Sequence, residues 1–194
     1  MKNRLVILTI GHIHSGKTSF ARKFIEKVPN TIHIERDIVA SFVSERFPTI
    51  KQHQLAKFNK NFPLREEIYE KIEDSAIKTP KNHLFYAQCH TFSAYRAQRI
   101  QKFRKMGQNW KILGIYFDIS PEILEKRVKS SKKSQNVLTF SKNFVENLEK
   151  QKKMFQKPTK SEISTFDHFF TIKNNENEAE ILEKIIKIVK NNEK

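Results

Sequence analysis

Two patterns of apolar and polar positions alternate along the chain. Continuous apolar runs rich in β-branched residues, such as residues 4–10, are typical of strands buried on both faces of a parallel sheet. Between these runs, apolar residues recur at helical spacing among polar ones. The pattern predicts strands at residues 4–10, 31–35, 83–88, 110–117 and 168–172. It predicts helices at 17–27, 38–46, 64–77, 93–106, 121–128 and 179–189, and one more helix that follows residue 140 and ends at about 155.

Strands that alternate with helices form βαβ units. The sequence therefore predicts an α/β fold, a three-layer α/β/α sandwich around a parallel sheet. A length of 194 residues without a long linker fits one domain, so we expect residues 1–194 to form a single domain. In the second helix we expect Asp37 to be the N-cap and Ile38, Val39, Phe42 and Val43 to face inward.

The segment between the first strand and the first helix reads GHIHSGKT, residues 11–18, and fills the phosphate-loop pattern G-x-x-x-x-G-K-[ST]. Its glycines let successive N–H groups point at phosphate oxygens, and the following helix adds its positive N-terminal end. We expect Lys17 to reach the β- and γ-phosphates and the Thr18 hydroxyl to hold Mg²⁺. The predicted nucleotide-binding residues are Gly11, His12, His14, Ser15, Gly16, Lys17, Thr18 and Ser19.

His12 and His14 occupy free positions of this pattern, and no third metal ligand lies near them in the sequence. We interpret them as solvated loop residues rather than as metal ligands. The single cysteine, Cys89, excludes an internal disulfide. No signal-peptide pattern is present and no apolar run approaches the roughly 20 residues of a membrane span, so we expect a cytoplasmic protein.

The charge is strongly positive, with 37 Lys and Arg against 21 Asp and Glu and a net charge of +16. Such a field favours polyanionic partners such as nucleic acid. The same excess would also arise from a general bias toward Lys, Asn, Ile and Phe, because the lysines are spread over the whole chain. Both interpretations stay open here, and the oligomeric state is not predicted.

The residues around the motif favour a small kinase over other P-loop proteins. A GTPase would need an N-K-x-D motif, which the sequence lacks, and the chain is short for a motor or a transporter. Arg36 and Asp37 lie just past the second strand, at the edge of the sheet where ligands bind. There Asp37 can accept the proton of an acceptor hydroxyl while Arg36 grips an acceptor phosphate. Alternatively, Asp37 is only a helix cap.

The chain resembles the polynucleotide 5′-kinase-like P-loop kinases, which include the zeta-toxin and seryl-tRNA kinase relatives. The resemblance rests on the phosphate loop, ERD at residues 35–37, Tyr95-Arg96, YFDISPEILEKR at residues 116–127 and FQKPTKSEISTFDHFFTI at residues 155–172. It implies ATP and Mg²⁺ as cofactors, Asp37 as general base, Arg36 as its neighbour and Arg127 as the start of an arginine-bearing lid.

Two departures from this family concern metal handling and the lid. Family members often carry an acidic residue at the end of the third strand, where this chain has Gln88-Cys89-His90. Lys132 or Lys133 takes the place of a lid arginine, and lysine neutralises charge without a bidentate grip. The lid candidate spans about residues 129–140, which could equally be a solvated basic loop.

Three functions follow as alternatives. The first is an ATP-dependent kinase acting on the 5′-hydroxyl of a nucleic acid or nucleotide, where Phe47, Phe58 and Phe62 could stack bases or belong to the core. The second is a kinase of a small metabolite or sugar nucleotide. The third is a protein that binds ATP without turnover.

Overall fold

The computed structural model describes residues 3–46, 63–107, 109–131 and 143–193. Lys132, Lys133, most of the lid candidate and the three phenylalanines Phe47, Phe58 and Phe62 lie outside the described residues. The strands are β1 (Arg4–Ile10), β2 (Thr31–Ile34), β3 (His83–Tyr86), β4 (Trp110–Asp118) and β5 (His168–Lys173). The helices are α1 (Lys17–Lys27), α2 (Arg36–Arg46), α3 (Pro63–Lys78), α4 (Ser93–Lys105), α5 (Pro121–Ser130), α6 (Phe144–Met154), α7 (Lys160–Ile163) and α8 (Glu178–Glu193).

The strands form one parallel sheet in the order β2-β3-β1-β4-β5, which confirms the predicted α/β class. After β1 the chain crosses to β2 on one side, and after β3 it crosses to β4 on the other side. The strand order therefore reverses beside β1, and ligands of open parallel sheets bind at such a point, outside the carboxyl ends of the strands. The phosphate loop follows β1 directly at this edge.

Both faces of the sheet are covered, because alternate residues of β1 enter two different cores. Leu5 and Ile7 pack in a cluster with residues of α1 and α8, such as Phe20 and Ile185. Val6, Leu8 and Ile10 pack in a second cluster with residues of α3 and α4. This arrangement is the predicted three-layer sandwich, and it explains why β1 reads as an unbroken apolar run.

The second helix departs from the sequence prediction in two ways. It begins at Arg36, so Asp37 lies inside its first turn and is not its N-cap; a carboxylate there still faces the positive end of the helix. Val39 is buried as expected, but Ile38 and Phe42 are 55% and 51% exposed. The physical reason is position: α2 follows β2, the edge strand, where the sheet can cover only part of a helix.

Within the described parts of the chain, every helix is too short or too polar to cross a membrane. The predicted cytoplasmic location is not tested by this finding.

Candidate active site

The phosphate loop has the backbone geometry that its two glycines allow. The Gly11 N–H donates to the Cys89 carbonyl at 3.0 Å, which ties the loop to the chain after β3. A Cβ at Gly11 would lie about 3.1 Å from both the Phe117 carbonyl oxygen and Ser15 Oγ, closer than most Cβ contacts. Gly16 has φ +103°, a left-handed conformation that side chains disfavour. Helix α1 then begins at Lys17 and directs its N-terminus toward the loop.

The Lys17 ammonium is surrounded by backbone and side-chain oxygens of this loop. Its Nζ donates to the Gly11 carbonyl at 3.2 Å, to Ser15 Oγ at 3.1 Å and to the His12 carbonyl. The residue is only 7% exposed, so its charge acts in a partly desolvated site. The Lys17 ammonium is thus already at the loop where a phosphate would bind, as the sequence predicts for a P-loop lysine.

Thr18 contacts a carboxylate to which the sequence analysis assigned no role. Its Oγ1 donates to Oε1 of Glu35 at 3.0 Å, and Oε2 of Glu35 lies 3.4 Å from Nε2 of His33. A hydroxyl and a carboxylate are the oxygen ligands that Mg²⁺ prefers, so the residues present fit this metal. The sequence carried a signal for Glu35, since an acidic residue at the carboxyl end of β2 lies at the same sheet edge as the phosphate loop.

Asp37 and Arg36 line the same cavity as the phosphate loop. Both are exposed on the first turn of α2. Arg36 Nη2 contacts Glu66 Oε2 at 2.6 Å, and its guanidinium lies 4.9 Å from the ring centroid of Tyr69. Arg36 is thus held toward α3 by an ion pair at this site, while the Asp37 carboxylate lies at the cavity wall.

A cavity of about 970 Å³ brings most of the predicted site residues together. It extends from the phosphate loop to α2, to the chain after β3 and to α5. Gly11 and His12 do not line it, and Lys132 lies outside the described residues. The predicted residues that line it are His14, Ser15, Gly16, Lys17, Thr18, Ser19, Arg36, Asp37 and Arg127. Their assignment to catalysis or to nucleotide binding stays a prediction.

The two loop histidines are half-buried rather than solvated. The His12 ring lies 4.4 Å from that of Phe155, and the His14 ring lies 4.9 Å from that of Phe144. Burial, with Lys17 and two further lysines nearby, lowers the pKa of His12 to about 4, so the ring is neutral at pH 7. Among the described residues, no three His, Cys, Asp or Glu side chains are grouped to hold a metal ion.

Helix α6 contacts the phosphate loop through a hydrogen bond that the sequence did not predict. Gln151 Oε1 accepts from the Ile13 N–H at 2.9 Å. Arg127 of α5, the residue at which the resemblance expects the lid to start, donates from Nη1 to the His14 carbonyl at 3.3 Å. The two contacts join the loop to residues more than 110 positions away in the chain. No local sequence signal marks Gln151.

The end of β3 is uncharged in the structure as in the sequence. Gln88 Nε2 donates to the Tyr69 hydroxyl, and Cys89 lines the cavity. Asp118, at the end of β4, accepts from the Tyr116 hydroxyl at 3.0 Å. Glu35, the residue directly after β2, is the carboxylate that contacts Thr18, the predicted metal ligand.

His90 is a buried residue whose ring contacts the backbone of β1. Its Nδ1 lies 2.7 Å from the Thr9 carbonyl, and it is 8% exposed. Burial lowers its pKa from 6.5 to about 4, although the hydrogen bond to Thr9 opposes the shift. The folded protein therefore stays unprotonated at His90 while the unfolded chain binds a proton below about pH 6.5.

This difference predicts a loss of stability in mild acid. Between pH 7 and pH 5, His90 alone is expected to lower the free energy of unfolding by about 2 kcal/mol. Urea denaturation of the wild type, His90→Gln and His168→Gln at both pH values checks this. His168 is exposed and is the matched control. A pH dependence as steep in His90→Gln as in the other two proteins would contradict the prediction.

Comparisons with known proteins agree with this fold. The sequence profile of the AAA domain family matches residues 6–158. No curated protein matches the sequence significantly. A fungal RNA kinase structure is similar with a TM-score of 0.64 and 16% identity, covering 96% of this chain and 87% of its own.

Two further solved structures show the same fold. A putative kinase from Chloroflexus aurantiacus has a TM-score of 0.61 at 12% identity and covers 98% of this chain and 96% of its own. A sugar kinase from Janibacter has a TM-score of 0.58 at 12% identity, with coverage of 95% and 93%. The predicted resemblance to P-loop kinases is confirmed for the fold, and the chain belongs to the AAA domain family.

Proposed function

We propose that this protein is an ATP-dependent kinase that transfers the γ-phosphoryl group of ATP to a hydroxyl, and that the acceptor is the 5′-hydroxyl of a nucleic acid or nucleotide. One observation carries the proposal. The cavity that holds Lys17 and Thr18 of the phosphate loop also holds the carboxylates of Glu35 and Asp37 at its wall. Phosphoryl transfer needs these parts in one place: a phosphate cradle, a metal site and a base beside the acceptor.

Each residue has a separate task in this mechanism. Asp37 orients the acceptor hydroxyl and accepts its proton as the oxygen attacks. Lys17 and the loop N–H groups stabilise the negative charge that spreads over the phosphoryl oxygens. Thr18 and Glu35 would hold Mg²⁺, which neutralises phosphate charge when bound. Arg127 lines the same cavity and contacts the His14 carbonyl of the phosphate loop, where a cation can offset phosphate charge.

The proposed role of Glu35 predicts a changed demand for magnesium. Glu35→Gln removes the negative charge beside Thr18 but keeps the size of the side chain. We expect the Mg²⁺ concentration for half-maximal activity to rise about tenfold, as is typical when a residue near a metal is altered. Glu26→Gln, on α1, is the control. An unchanged Mg²⁺ requirement in Glu35→Gln would remove Glu35 from the metal site.

Two observations support a nucleic acid as acceptor. The chain carries a net charge of +16, which favours polyanions. The fold is also similar to that of a fungal RNA kinase, although 16% identity does not transfer that protein's substrate.

A small metabolite or sugar nucleotide is the second candidate acceptor, and the pairing of cavity cations with acids favours it over a polyanion. Arg36 pairs with Glu66, and both Arg99 and Lys102 contact Glu73. These acids lower the net positive charge offered to a polyanion. Substrate binding that does not weaken with salt would indicate this candidate, because phosphate contacts are salt-dependent.

Transfer of labelled phosphate from ATP decides between these functions. The acceptors are a 5′-hydroxyl oligonucleotide, the same oligonucleotide with a 5′-phosphate, a nucleoside and a sugar acid. Labelling of the 5′-hydroxyl form alone supports the proposal, since the two oligonucleotides differ only at the reacting group. Labelling of only the sugar acid would show that the protein is a small-metabolite kinase, the second candidate. ATP binding without labelling or ADP release in any mixture indicates a protein that binds ATP without turnover.

A further inference from the structure

An exposed aromatic pair lies at the rim of the cavity. Tyr95 is 61% exposed, more than any other large hydrophobic side chain in the described part of the chain. The rings of Phe92 and Tyr95 are 5.6 Å apart at 80°, so the pair meets edge to face. Both residues line the cavity that holds the phosphate loop and Asp37. An aromatic ring in solvent at a ligand cavity is a surface on which a planar ligand can stack.

The backbone that carries this pair is held in one conformation by a buried ion pair. Arg96, which is fully buried, contacts Glu162 with Nε and Nη2, the latter at 2.8 Å. Its Nη1 donates to the carbonyls of His90 at 2.7 Å and Thr91 at 3.3 Å. Buried ion pairs add little net stability, but they can specify a single geometry.

Two further features fix the same turn. Gln156 Oε1 accepts from the N–H and the hydroxyl of Ser93 at 2.8 and 2.7 Å, and the Gln156 N–H donates to the Thr91 carbonyl. His90 adopts φ +44°, which is uncommon for a residue with a side chain and persists where surrounding contacts demand it. The aromatic pair is thus presented on a preorganised backbone, which lowers the cost of ordering it around a ligand.

Positive charge follows the aromatic pair along the same face of α4. Arg99 and Lys102 lie four and seven residues after Tyr95, and both line the cavity. They share the buried carboxylate of Glu73, and Lys102 Nζ also lies 3.7 Å from Asp74 Oδ1, so these acids offset part of the charge and the exposed rings carry the inference. Stacking rings beside cations are the combination that binds single-stranded nucleic acid, where rings contact bases and cations contact the backbone.

We propose that Phe92 and Tyr95 are a stacking platform for a base of the phosphoryl acceptor, and that they select a single-stranded nucleic acid over acceptors without a base. This inference rests on the proposed function, because it places the base in the cavity where Asp37 meets the acceptor. Tyr95 offers its ring to the base, and Phe92 supports that ring from its edge. A sugar acid has no planar ring to occupy this surface.

Binding of oligonucleotides without ATP tests the platform independently of catalysis. Fluorescence anisotropy compares three single-stranded DNA oligonucleotides with a 5′-hydroxyl: one intact, one abasic at its first nucleotide and one abasic at its second. We expect one abasic oligonucleotide to bind wild type about 5- to 150-fold more weakly than the intact one. Tyr95→Ala is expected to remove this difference, and Tyr95→Phe, which keeps the ring, is expected to retain it.

Met106→Ala is the matched control, because Met106 is an exposed apolar residue just after the opposite end of α4. Thermal melts of all variants exclude unfolding as a cause. Equal binding of the intact and both abasic oligonucleotides to wild type would overturn the platform, as would a preference that persists in Tyr95→Ala. These results are independent of the labelling assay: base-dependent binding without transfer contradicts the proposed kinase activity alone, and transfer without base dependence contradicts the platform alone.

Discussion

Replacing Lys17 by methionine is expected to lower the rate of phosphoryl transfer by about 10²- to 10³-fold, the usual effect of removing one preorganised group that stabilises transition-state charge. The ammonium is buried in the phosphate loop against the carbonyls of Gly11 and His12. Methionine keeps an unbranched chain of similar length but has no charge and no donor. Single-turnover transfer from ATP measures the effect on the chemical step.

Lys23→Met is the matched control for this variant. Lys23 is on the same helix, its side chain is 58% exposed, and its Nζ contacts Glu178 at 2.7 Å. An exposed ion pair contributes little to stability, so the control should keep wild-type activity. Transfer at the wild-type rate by Lys17→Met would show that this lysine does not act on the transferred phosphate.

Asp37→Asn is expected to lower kcat by about 10²- to 10⁴-fold, the usual contribution of a general base. Asparagine has nearly the same shape and can still orient the hydroxyl, but it cannot accept the proton. The KM for ATP should change little, since the proposed mechanism uses Asp37 to bind the acceptor and not ATP. Steady-state kinetics with the acceptor found in the labelling experiment separates the two parameters.

The structure also offers a control for charge in this region. Glu67→Gln removes an exposed carboxylate on α3 that pairs with Lys71, and it should leave kcat unchanged. Neutralising a carboxylate in the first turn of α2 should lower the free energy of unfolding by about 0.3–1 kcal/mol, which a thermal melt detects. A kcat of Asp37→Asn within a few-fold of wild type would assign the base elsewhere, and Glu35, which lines the same cavity, would then be the carboxylate to test.

Strong local signals explain which parts of the fold were predictable. The apolar run of β1 and the glycine pattern after it each demand one backbone conformation, and both were predicted with the observed bounds. Helix α2 was less predictable: its apolar residues have helical spacing, but Ile38 and Phe42 are exposed at the edge of the sheet. Periodicity gives the faces of a helix, whereas the neighbouring elements decide how much of each face is covered.

The candidate site divides in the same way between motif and contact. Lys17 and Thr18 could be named because a short motif encodes their chemistry. The loop histidines, His12 and His14, were misjudged as solvated, because the rings that cover them, Phe155 and Phe144, come from segments more than 120 residues later. Glu35 was visible in the sequence, but only the structure places it 3.0 Å from Thr18.

The sequence by itself determined the five strands, the longer helices, the α/β class and the phosphate loop, since these depend on apolar spacing and glycine within a few residues. The four-residue helix α7 was not predicted. Only the tertiary structure decided the contacts of Glu35 with Thr18, of Gln151 with Ile13 and of Arg96 with Glu162. Those partners are 17, 138 and 66 residues apart along the chain. The order of strands in the sheet brings them together, and pairing between distant strands leaves no mark in the local pattern of either one.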